Sequence, residues 1–229
     1  MSVHRLRGTP TIDVNVLRSS RSRKLSLRVS RLDGKVTLTI PQRTPLREGI
    51  HFLETREIWL RTHLIKLAPE SVVGVGSVVP YRGANLSVQV GSVKRTALRD
   101  GVLFVPDEPT AGVRVKAFLK LRARDVLADA SDRYSGMVQR RYARLSIRDT
   151  RSRWGSCSSQ GVLMYSWRLI MAPPAVLDYV AAHEVAHLVE MNHSTAFWTV
   201  VEQICPDYRD HRGWLRENGD VLHRVTFGD

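Results

Sequence analysis

Cysteine is nearly absent: Cys157 and Cys205 are the only two in 229 residues, they lie 48 positions apart, and neither belongs to a CxxC pair. That excludes a disulfide framework and a cysteine zinc knuckle, and leaves reduced, packing thiols as the expectation. No apolar run approaches the roughly eighteen residues that a membrane-spanning helix needs. The start, MSVHRLRGTPTID, lacks the apolar stretch of a secretory signal. Together these absences give the expectation of a cytoplasmic protein with no membrane partner. Repeats and low-complexity tracts are missing too, which argues against a solenoid or a disordered tail. Acidic residues are scarce: 22 Asp and Glu against 35 Lys and Arg leave a net charge of +13.

Hydrophobic residues make up 43% and charged residues 25%, so the chain has the composition of a globular protein long enough for one or two domains. The basic excess is densest in RSSRSRKLSLRVSR, where Arg18, Arg21, Arg23, Lys24, Arg28 and Arg31 crowd together. Such a patch suits a polyanion, and nucleic acid is its natural candidate partner; the same arginines equally suit a solvated sheet face. Leu25, Leu27 and Val29 alternate with Ser26, Arg28 and Ser30, as in a half-buried strand. Leu32-Asp33-Gly34-Lys35 reads as a turn into a second strand, Val36 to Ile40.

From Pro45 to Leu67, Leu46, Ile50, Leu53, Leu60, Leu64 and Leu67 form one stripe at about 100° per residue, which predicts a single helix. Val72 to Pro106 is rich in Val and Gly and reads as several short strands, and about 111–141 carries a long helical pattern. Strands are also expected near 145–151 and 163–169. Histidines gather in the last fifty residues: His183, His187, His193, His211 and His223.

Within that group His183-Glu184-Val185-Ala186-His187 forms an HExxH. Imidazoles four positions apart on a helix lie about one turn apart and converge on one ion, with the glutamate offset toward the same cavity. The helix is marked by Pro173 and Pro174 at its start and by Val176, Leu177, Val180, Ala181, Leu188 and Val189 on an apolar surface, with both histidines at its margin. Asn192-His193 extends the motif to HExxHxxxxxH. A left-handed Asn192 that ends the helix would return His193 as a third ligand. Asp207 or Glu202 could supply a carboxylate instead. Ser194 suits the cap of a helix from Thr195 to about Ile204.

Three neutral imidazoles and an open position describe a catalytic zinc site. Zinc polarises a carbonyl and acidifies water, and Glu184 is placed to accept the water's proton as general base, so the expected reaction is amide hydrolysis. Tyr208 comes first among Tyr208, His211 and Arg212 as the catalytic donor to the oxyanion. Cys157, Trp154, Trp167, Phe197 and Trp198 are expected to pack.

The runs Arg153-Trp154-Gly155-Ser156-Cys157, Tyr165-Ser166-Trp167-Arg168-Leu169, HEVAHLVEMNHSTAFW and PDYRDHRGWL resemble the YgjP-like metallopeptidase family, related to the SprT-like zinc proteases. The front, RSSRSRKLSLRV followed by DGKVTLTIP, is similar to that family's N-terminal region. The resemblance implies Zn2+ held by His183, His187 and His193, with Glu184 as base and a peptide or protein as substrate. Glu190 stands where the metzincins have glycine, and no later methionine makes their Met-turn, which sets the chain apart from them.

The expected architecture is α+β: a basic, strand-rich region with one covering helix over 1–108, then a zincin-like core with a small sheet and the HExxH helix over 109–229. The leading function is zinc-dependent peptide hydrolysis. The alternatives are a nucleic-acid-associated zinc protein, whether a DNA-linked protease or a binding module, and a zinc hydrolase of a non-peptide substrate.

Overall fold

The computed structural model describes residues 2–65 and 70–228. The chain is mixed α+β and divides into two compact units, residues 1–69 and 70–229. The division falls earlier than the 108/109 boundary expected from sequence. Its physical reason is that Val79, Leu86, Val88, Leu103 and Val105 are buried in the same core as the helices that follow them.

The first unit holds β1 (Ser2–Leu6), β2 (Ile12–Ser19), β3 (Ser26–Val29), β4 (Val36–Pro41), α1 (Leu46–Thr55) and α2 (Glu57–Ile65). Its sheet runs β1-β2-β4-β3, with β2 and β4 parallel and the outer pairs antiparallel. Val14, Val16, Val36, Leu38 and Ile40 alternate into a core closed by Leu53 and Leu60. The β3–β4 connection is the expected turn: Gly34 has φ 67° and the Lys35 amide donates to Asp33 Oδ1. Arg28 is exposed on the edge strand β3. The single helix expected from Pro45 is two helices broken at Arg56, whose amide turns back to the carbonyls of Leu53 and Glu54. Both helices still bury one side of the stripe, through Leu53 and Leu60; Leu67 lies outside the described residues.

The second unit begins with β5 (Ser71–Val72), β6 (Val78–Tyr81), β7 (Ala84–Val90), β8 (Ala97–Arg99) and β9 (Val102–Val105), followed by α3 (Ala111–Met137). Next come β10 (Arg144–Arg148), β11 (Gly155–Cys157), β12 (Val162–Ser166), a 3-10 turn at Trp167–Met171, α4 (Pro174–Ala186), α5 (Thr195–Ile204), α6 (Tyr208–His223) and β13 (Val225–Thr226). The second four-stranded sheet, β6-β7-β9-β8, repeats the plan of the first, with its central pair parallel. A smaller sheet, β10-β12-β11, leaves β11 on an edge.

α3 buries Val115, Leu119, Ala123, Leu127 and Ala130 at helical spacing. α4 is buried around most of its circumference, with Ala181, Ala182 and Ala186 presenting no bulk to their neighbours. Trp167, fully buried, belongs to the 3-10 turn and not to a strand reaching 169, because β12 ends at Ser166. Among the described residues no helix is long and apolar enough to cross a membrane.

Candidate metal centre and its family

His183 and Glu184 sit in the last turn of α4, and His187 is the residue that ends it. The chain then tightens: the amides of Leu188, Val189 and Glu190 donate to the carbonyls of Val185 and Ala186. This is how His193 returns. The left-handed Asn192 expected from sequence does not occur, since the only described non-glycine residues at positive φ are Arg82, Asp100 and Gln139. Asn192 acts through its side chain instead, its Oδ1 accepting from the Ser194 amide. Ser194 caps α5 as expected, accepting from the Phe197 amide.

His183, His187 and His193 offer ligand atoms that all lie within 4.8 Å of one another. Among the described residues no other set of three His, Cys, Asp or Glu side chains gathers so closely. Glu202, a sequence alternative for the third position, pairs with Arg209 at 2.8 Å, and Asp207 precedes α6 outside the cluster.

The donor chemistry fits a metal ion. His183 Nε2 and His193 Nε2 are 3.1 Å apart, close to the edge of about 3.3 Å that two imidazoles span on tetrahedral zinc. His187 Nδ1 donates to the Glu190 carbonyl at 3.0 Å, which fixes the tautomer and leaves Nε2 as a lone-pair donor. Burial pushes His183 down to about 3, helped by the neighbouring His187, His193 and Arg212, so its imidazole is neutral at ordinary pH. His187 is lowered as well, chiefly by burial. The Phe197 ring stacks on His187 at 4.4 Å and meets His183 and His193 edge-on, forming an apolar floor.

Glu184 is 5% exposed and lines the same cleft of about 490 Å³, with Arg153, Gly155, Cys157 and the three histidines. Burial pushes its carboxyl up to about 8, and the Arg153 guanidinium offsets part of that. Cys157 is held as a thiol, raised to about 11 by burial and by Glu184.

A family model described as YgjP-like, metallopeptidase domain, matches residues 23–218. The chain belongs to the YgjP-like metallopeptidase family. Membership makes it a hydrolase of the metallopeptidase class, and the chemistry of that class requires a metal ion. No curated protein matches the chain. Among solved structures it is similar to the metallopeptidase zymogen of Pyrococcus abyssi abylysin, at 20% identity and a TM-score of 0.37, over 44% of this chain and 98% of that one.

Three features of this YgjP-like cleft differ from what the sequence suggests. Tyr208 does not line it: its ring stacks on Trp198 at 5.2 Å, and Trp198 in turn packs 5.7 Å from His183. Arg153, which the sequence offered only as part of a motif, does line it. The segment preceding β11 crosses to α4 through tertiary packing, so no local spacing signals its place. Gly155 is the second unpredicted residue: a Cβ there would lie 2.5 Å from Glu184 Oε1.

Proposed function

We propose that this metallopeptidase is zinc-dependent and cleaves peptide bonds, with His183, His187 and His193 as ligands and Glu184 as general base. The observation that carries the reading is the convergence of three imidazoles on one point beside a carboxylate in the same cleft. Three imidazole nitrogen donors with room for a fourth ligand favour zinc over a hard cation. Bound zinc supplies Lewis acidity toward a carbonyl oxygen and lowers the pKa of water to about 7.

The chain's own residues do the rest. Glu184, whose ionised form a bound cation beside it would favour, accepts the proton of the attacking water and delivers it to the departing amide nitrogen. Arg153, the cation of the cleft, faces the negative charge that develops on the carbonyl oxygen, whereas Tyr208 is not among the residues that line the cleft. The free edge of β11 runs along the cleft wall, and an extended substrate pairs with it through backbone hydrogen bonds.

Glu184→Gln keeps the volume and removes the base. We expect zinc bound at one equivalent by elemental analysis, as in wild type, and hydrolysis of a casein-like substrate reduced on the order of 10³-fold. Hydrolysis at the wild-type rate overturns the assignment of the base. Full activity in chelated wild-type protein overturns the metal dependence.

A further inference from the structure

Trp198 packs against both the histidines and Arg212 of α6. Arg212 lies over its ring at 4.7 Å, and the ring is 5.9 Å from that of His193. Arg212 is therefore at most roughly 11 Å from the metal ligands, the span of about three residues of extended peptide. Arg209, Arg212 and Arg216 recur at i, i+3 and i+7, so helical spacing places them on one face of α6. With Tyr208 and Gly213 they line a cleft of about 480 Å³ that has no acidic residue in its wall. A Cβ at Gly213 would meet nothing within 4 Å, so the cleft is open there. Arg209 is partly neutralised by Glu202 at 2.8 Å, while Arg212 and Arg216 are exposed.

We propose that this arginine-lined cleft is a subsite that binds a carboxylate of the peptide substrate within about three residues of the scissile bond. The inference rests on the peptidase reading and adds the substrate class: acidic peptides. Guanidinium groups suit this role because their planar donor forks pair with both oxygens of a carboxylate, where a lysine offers only a point charge. The three arginines line one cleft and can act together on one carboxylate, where isolated surface arginines contribute little. The carboxylate has two possible sources, an Asp or Glu side chain or the substrate's own C-terminus.

The test uses labelled peptides that carry Glu, its Gln counterpart, or a free or amidated C-terminus, bound to the Glu184→Gln protein and followed by anisotropy. Binding needs no turnover, so its outcome is independent of whether the wild type cleaves peptides. We expect the Glu peptide or the free-acid peptide to bind about tenfold tighter than its uncharged counterpart, and whichever does so identifies the source. Arg216→Glu, a change at an exposed position, should abolish the discrimination and shift preference toward a Lys peptide. In wild type the same ratio should appear in kcat/KM, carried by KM. Equal binding of charged and uncharged peptides overturns the subsite. So does an equal loss on replacing Arg28, because the attraction would then come from the overall charge of +13. Discrimination in binding without any peptide cleavage by wild type keeps the subsite and overturns the peptidase reading.

Discussion

A methyl group at position 155 would lie 2.5 Å from Oε1, 2.6 Å from Cγ and 2.7 Å from Cδ of Glu184. Glycine is required there by this close approach and not by a special backbone conformation, since Gly155 is absent from the positive-φ glycines. Gly155→Ala must push the carboxyl away from its place, and a displacement near 1 Å costs about 10²-fold in rate. We expect kcat to fall by roughly that factor while zinc content stays at the wild-type level. Loss of metal together with activity would show instead that Gly155 supports the ligands. At this scale His183, Glu184 and His187 were legible from spacing alone, because a helix fixes neighbours four positions apart. Arg153 and Gly155 were not, because nothing local relates them to α4.

Helix ends were the least legible features. The expected helix over Pro45–Leu67 is broken at Arg56, and its apolar stripe could not reveal the break because Leu53 and Leu60 face the same core from both pieces. The sequence carries α4 on to Asn192, but the helix ends at Ala186 in a tightened turn, and the Asn192 side chain, not a left-handed backbone, accompanies the return to His193.

α6 ends on His223, whose ring lies 4.9 Å from Trp154. Burial pushes His223 down to about 4, with Arg168 and Arg151 also lowering it and Asp149 and Asp220 opposing them. Because the folded value is below the unfolded one of about 6.5, unfolding takes up a proton between them. The contribution of this group is complete above about pH 6.5 and is lost as pH falls toward about 4. We expect the thermal midpoint to decline over that window, and His223→Phe, which keeps a ring against Trp154, to decline less steeply. Parallel pH curves for the two proteins would exclude His223 from the acid limb.

At the scale of the whole molecule, two four-stranded sheets share one plan: an antiparallel, a parallel and an antiparallel pair in the order first, second, fourth, third. No sequence repeat announced it, because a strand core asks only for alternating apolar residues and accepts many of them. Among the described residues, the core around α3 and α4 draws on none before Val73. A chain spanning residues 70–229 is therefore expected to fold cooperatively and to bind one zinc. Saturating zinc at about 100 times Kd should stabilise it by about 2.7 kcal/mol, read as a rise in the thermal midpoint that His187→Ala removes. Failure of this fragment to unfold cooperatively would mean that the first unit is needed for its stability.

The sequence by itself determined the α+β class, the family resemblance, and the histidines with their glutamate, since all of these follow from local periodicity and short spacing. Tertiary structure alone decided which strands join the metal-binding core, and that Arg153 and Gly155 line one cleft with Glu184. Those relations connect residues tens of positions apart, and they are set by which buried faces fit together once the chain has closed its long loops.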